Sequence, residues 1–147
     1  MTTFPSTPPV GLEYTDVQHF YARQMRWHDE GEAELFAATF TVDGSFDATP
    51  FPAPAVGRPA IAEAVRQARV RHAELVRDAH IRHWVGMTAV DLQDDGTLRV
   101  ESYAVVFRTP FGGSPSLQST ATLSDVLVRD GDGWLVRSRL VRPDELE

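Results

Sequence analysis

HIRHWVGMTAVDLQDDGTLRVESYAVVFR, residues 80–108, reads as two long strands joined by a tight turn. Its first run alternates: Ile81, Val85, Met87 and Ala89 share one face with His83, while His80, Arg82, Trp84, Gly86 and Thr88 share the other. Strict alternation is the mark of a half-buried strand, since successive side chains point to opposite faces. The Asp-Gly in DDGT, 94–97, supplies the positive-φ residue that a close hairpin needs. A second pair of runs, 117–129 and 133–142, is joined by DGDG in the same way. The second half of the chain is therefore all antiparallel strand.

Upstream the period changes to that of helices. Val17, Phe20, Tyr21, Gln24 and His28 form one stripe starting near Thr15, and Gly31 offers the left-handed stop. EAELFAATF predicts a short second helix with Leu35, Phe36 and Phe40 inward, and TVDGSFDAT a turn and a short strand. Prolines in PFPAPAVGRP, 50–59, forbid regular structure. A third helix over about 59–78 opens with Pro59 and buries Ile61, Val65, Ala68, His72 and Leu75. Helices first and antiparallel strands second define an α+β fold: three N-terminal helices packed on a strongly curved, mostly antiparallel sheet, a cone-shaped α+β barrel. Its hollow is a natural small-molecule site. The expected organisation is a tail over 1–14 and a single domain over 15–147.

Composition narrows the chemistry. The chain has 147 residues, a formal charge of −7 and no cysteine. All 14 basic residues are arginine, so a Schiff-base lysine and a P-loop lysine are excluded. Without cysteine there are no disulfides, thiolate nucleophiles, iron–sulfur clusters or cysteine-held zinc. An acidic chain with no basic cluster argues against a nucleic-acid partner. No apolar run approaches membrane-span length, and the first residues lack a secretory pattern, so a cytoplasmic location is expected.

Four residues break the apolar pattern. An imidazole in the buried register of a strand costs free energy unless both nitrogens find partners, and His83 reads either as a satisfied core histidine or as a general acid/base. Asp29 ends the first helix, where a negative charge opposes the helix dipole and calls for a compensating partner. A buried histidine would be such a partner, giving an Asp–His dyad. His28 beside it lies on the apolar stripe. Asp125 sits in the register Ala121, Leu123, Leu127, and a carboxylate among apolar neighbours is expected to have a raised pKa. Tyr21, Trp84, Tyr103 and Met87 are the candidate pocket walls. His80 and His83 fall on opposite strand faces, so no histidine pair has chelating spacing, and neither a metal nor a cofactor is expected.

FYARQMRWHDEGEAELFAATFTVDGSF followed by VGRPAIAEAV resembles the opening of the nuclear transport factor 2-like superfamily, and SDVLVRDGDGWLVRSRLV its last hairpin. RHWVGM resembles the strand of scytalone dehydratase that carries a catalytic histidine. The resemblance puts His83 on that histidine, Asp29 on its helix-end partner and His28 on a catalytic tyrosine. The serine and asparagine of that enzyme fall near Ala121 and Leu123, so its own substrate is not expected here. Asp125 matches the acid/base aspartate of SnoaL-like polyketide cyclases, and the overall pattern resembles small SnoaL-like proteins of actinomycete aromatic-polyketide clusters such as actinorhodin. The resemblance implies a cofactor-independent cyclase or dehydratase acting on an aromatic polyketide-type intermediate, working as a homodimer. A non-catalytic ligand-binding subunit and an epoxide or lactone hydrolase are the alternatives.

Overall fold

The structure, a computed structural model, describes residues 11–48 and 51–146, with only the backbone of residues 11 and 12. Helix α1 spans Gly11–Glu30, α2 Ala33–Ala38, α3 Arg58–Arg71 and α4 Ala73–Val76. The strands are β1 Phe40–Ala48, β2 Ala55–Val56, β3 Ala79–Leu92, β4 Leu98–Pro110, β5 Ser116–Asp130 and β6 Gly133–Pro143. They form one curved six-stranded sheet in the order β2-β1-β6-β5-β4-β3. Every neighbouring pair is antiparallel except β1 and β6, which run parallel with Phe46 opposite Arg139. This is the α+β architecture expected, with a fourth short helix added.

That helix arises because the long third helix does not persist to residue 78. His72 leaves helical geometry at φ −106° and ψ 29°, and α4 restarts beyond it as a single turn. His72 and Leu75 are consequently exposed, while Ile61, Ala62 and Val65 hold the buried stripe. Helix α1 starts at Gly11, four residues ahead of Thr15 and inside the tail expected over 1–14, of which residues 1–10 lie outside the described residues. Leu35 faces solvent and leaves Phe36 as the anchor of α2.

The core is a ring cluster roofed by α1. Phe36 meets Phe40 and Phe46 at centroid separations of 5.4 and 5.7 Å, and Val17, Ile61, Leu98, Leu127 and Val136 close around them. Offset and edge-to-face rings add roughly 0.5–1.5 kcal/mol per pair beyond area burial.

One irregularity redirects β3. Between Gly86 and Ala89 the pairing with β4 shifts, and Met87 takes a left-handed φ of 49°. An extra residue in one strand moves every later side chain to the opposite face. Met87, read as a pocket wall, is therefore 82% exposed, and Ala89 follows it outward. Trp84 and Tyr103, two further candidate walls, stand on the outer face at 70% and 59% exposure. Tyr103 lies opposite Gly86 in the neighbouring strand, so the two aromatic side chains are diagonal neighbours facing away from the helices.

Candidate functional site

Gly31 decides where α1 stops and which residues its last turn presents. Its φ is 77°; its N–H donates to the His28 carbonyl at 3.1 Å, and the Glu32 N–H donates to the Trp27 carbonyl at 2.9 Å. This is a Schellman closure, in which a left-handed residue satisfies the last helical carbonyls. A Cβ at Gly31 would stand 2.8 Å from Arg69 Nε, so no larger residue fits without displacing that side chain. Arg69 in turn donates to the Asp29 carbonyl at 3.3 Å. The final turn is thus pinned with His28 and Asp29 facing β3.

Strand β3 is the sheet's edge beyond β4, so alternate N–H groups have no strand to pair with. The one on His83 donates to the Asp29 carboxylate, at 3.1 Å to Oδ2 and 3.2 Å to Oδ1. The His83 ring then reaches the same carboxylate, with Nδ1 2.6 Å from Oδ1. One carboxylate at an unfavourable helix end is stabilised by a backbone amide and an imidazole together. The side chains keep 23% (His83) and 14% (Asp29) of their exposure. Nε2 of His83 has no hydrogen-bond partner among the described residues and is not sealed from solvent. Asp29 fixes the ring's tautomer and leaves Nε2 as a basic, accessible nitrogen.

His28 joins the pair from the same helical turn. Its ring meets His83 edge-on with centroids 4.5 Å apart, and Phe36 backs it at 4.9 Å. Burial holds its pKa well below the ordinary imidazole value, and the charges of His83, Arg139 and Arg69 lower it further. The ring is neutral at physiological pH. Sequence spacing alone offered no chelating pair. Tertiary packing nevertheless brings one donor atom each of His28, Asp29 and His83 within 4.8 Å of one another. An ion there would compete with the His83 N–H and ring contacts that already occupy the carboxylate.

Asp125 is buried in the register expected of it, at 1% exposure, but it is not among apolar groups alone. Arg139, its neighbour across to β6, forks onto it with Nε to Oδ1 at 2.9 Å and Nη2 to Oδ2 at 2.8 Å. The Tyr21 hydroxyl donates to Oδ2 at 2.5 Å. Arg139 also donates to Gln24 Oε1 at 2.7 Å, and Gln24 Nε2 donates to Thr39 Oγ1 at 2.7 Å. Thr39 passes the chain on to the Phe36 carbonyl at 2.5 Å. Burial and the Asp125 charge push the Tyr21 phenol well above its usual pKa. Tyr21 is core, at 3% exposure, and its hydroxyl is committed. Arg139 and Gln24 are the members that sequence reasoning missed. The signal was present: Arg139 occupies the inward register of a strand, as Asp125 does.

Two surface hollows, of about 580 and 590 Å³, lie away from the His28–Asp29–His83 cluster, the first bordered by Asp125 and Arg139 and the second by Thr39. One is on the outer side of the sheet around Arg99, Glu101, Ser124 and Ser138; the other is between α1, α2 and β6 around Trp27 and Trp134. Neither includes His28, Asp29 or His83, so the site is defined here by its polar geometry.

Residues 12–140 match the SnoaL-like domain family, and the chain belongs to it. Its fold is shared with several solved proteins. Aln2 from a Streptomyces species is 34% identical, with a TM-score of 0.85, over 95% of this chain and 96% of that one. ActVI-ORFA from Streptomyces coelicolor is 33% identical, with a TM-score of 0.82, over 92% and 99%. A Catenulispora acidiphila protein solved in complex with S-DNPA is 36% identical, with a TM-score of 0.77, over 93% and 97%. No curated protein matches the chain.

Proposed function

We propose that this protein is a cofactor-independent cyclase or dehydratase that acts by general acid–base catalysis on an aromatic polyketide-type intermediate. The observation that carries the reading is the 2.6 Å contact between His83 Nδ1 and Asp29 Oδ1, with Nε2 left open. Such intermediates have acidic C–H bonds beside carbonyls, so removing and returning one proton is sufficient chemistry. His83 abstracts the proton, Asp29 orients the ring and stabilises the imidazolium, and a second polar group attends the oxygen. General acid–base assistance contributes about 10²–10⁴-fold and positioning adds to it. The likeness to ActVI-ORFA and Aln2 supports the substrate class, and the S-DNPA complex of a relative supports a small-molecule site.

The test is genetic and chemical together. Deleting the gene and complementing with wild type should restore the normal metabolite profile. His83→Ala and Asp29→Asn should leave the substrate accumulating, although both variants fold. Full complementation by His83→Ala overturns the proposal. Tight binding of the accumulated compound without turnover would instead make the protein a carrier. Oxygen from labelled water in the product would make it a hydrolase.

A further inference from the structure

His28 is half-buried, neutral and unused by the dyad, yet it stands against it. Its Nδ1 is sealed from solvent with no hydrogen-bond partner among the described residues, whereas its Nε2 is not sealed. A neutral imidazole has one N–H to place. An unpaired N–H sealed in the protein is costlier than an unpaired lone pair, so the proton belongs on Nε2. Two imidazoles thus offer open Nε2 atoms from rings 4.5 Å apart, one an acceptor supported by Asp29 and the other a donor. The other groups facing His28 are Phe36 from α2 and the charges of Arg69 and Arg139. Arg139 is spent on Asp125, and Arg69 is turned to the helix end.

We propose that His28 is the oxygen-binding group of the site, donating from Nε2–H to a carbonyl oxygen while His83 takes the proton from the carbon beside it. This rests on the acid–base reading above and narrows its substrate to an enolisable ketone whose acidic C–H adjoins the carbonyl. An anionic group finds no partner in Arg139, whose guanidinium is held by Asp125 and Gln24. In the step, the C–H bond breaks and its electron pair forms the new C=C bond. The carbonyl π pair moves to oxygen, where the His28 N–H holds the enolate. The proton stays on His83 until it is delivered to a departing hydroxide, giving water, or to the alkoxide formed on ring closure. A neutral donor suits this role, since it stabilises the enolate without surrendering its own proton.

The assignment is tested with 2-acetyl-1-naphthol, a neutral aromatic ketone with an enolisable methyl. Exchange of its methyl protons in D₂O is followed by NMR, and its carbonyl band by infrared difference spectroscopy. Wild type should accelerate exchange at least 100-fold over buffer and shift the bound carbonyl band to lower frequency. His28→Phe should lose the band shift and at least tenfold in kcat, and His28→Asn, which keeps a donor, should recover part of both. A folded His28→Phe protein with wild-type shift and rate overturns the inference. If that variant does not fold, a folded His28→Asn protein without a band shift overturns it equally. His83→Ala separates the two readings: it should abolish exchange yet keep the band shift. Exchange undiminished in His83→Ala, or no faster than buffer in wild type, removes the acid–base reading and this inference with it.

Discussion

His28 ties stability to pH in a direction its environment fixes. Its pKa in the folded protein is lowered, chiefly by burial, so below about 6.5 the unfolded chain binds a proton that the folded chain refuses. Stability therefore falls with acidification, beginning near pH 6.5 and continuing until the folded ring itself titrates. The slope contributed is about 1.4 kcal/mol per pH unit. Urea midpoints between pH 7.5 and 5 should decline more steeply in wild type than in His28→Phe; parallel curves would show that the ring is not held neutral. Much of this site was legible in residues. His83 interrupts an apolar strand face, and Asp29 opposes the dipole of its helix; both are local conflicts visible in one dimension. That they meet, and that His28 packs on the same ring, depends on α1 crossing β3 at one height, which spacing along the chain does not encode.

At the scale of elements, Gly31 is the joint that matters. Alanine there must hold a left-handed φ and push Arg69 aside, which costs about 1–3 kcal/mol. Gly31→Ala should lower the urea midpoint accordingly. It should also weaken the dyad, read as loss of the downfield imidazole proton in NMR, while Gly96→Ala at an unobstructed hairpin turn should lose stability without touching that resonance. The elements themselves follow from period, prolines and Asp-Gly turns, and the two long hairpins fall within a residue or two of where their turns put them. The bulge at Met87 was not legible, because nothing in GMTA distinguishes an inserted residue from continued alternation. It turned one expected wall outward. Trp84 and Tyr103 also stand outward, and for Trp84 alternation had already set it on the face opposite His83.

Across the whole molecule, the buried chain Tyr21–Asp125–Arg139–Gln24–Thr39 ties α1 to β5 and β6 and, through Thr39, to the start of β1. Removing one member of a buried ion pair strands the other, typically at about 3–5 kcal/mol. Arg139→Met should cost this much in urea unfolding, and Arg139→Met with Asp125→Leu should recover a large part of it. With Asp125→Leu measured alone as well, losses that simply add in the double variant would show that the pair is not coupled. The sheet's outer face presents Trp84, Tyr103, Phe107 and Leu117 to solvent in one patch, an arrangement that marks an interaction surface. We propose that a second copy covers it: wild type should sediment as a dimer and Trp84→Glu as a monomer, and a monomeric wild type would end that proposal.

The parallel pairing of β1 with β6 has a consequence for how the protein is made. Residues 40–48 leave the ribosome long before the strand they dock against, residues 133–143. Contacts between distant parts of a chain form slowly, and domains fold as units during synthesis. The first strand must therefore wait, its phenylalanines uncovered, until residues 133–143 have been synthesised. A transcript truncated before codon 133 would yield a polypeptide holding every residue of the His28–Asp29–His83 cluster and no means of closing the sheet around it. Such a fragment is a substrate for chaperones and proteases, not a smaller version of the folded protein.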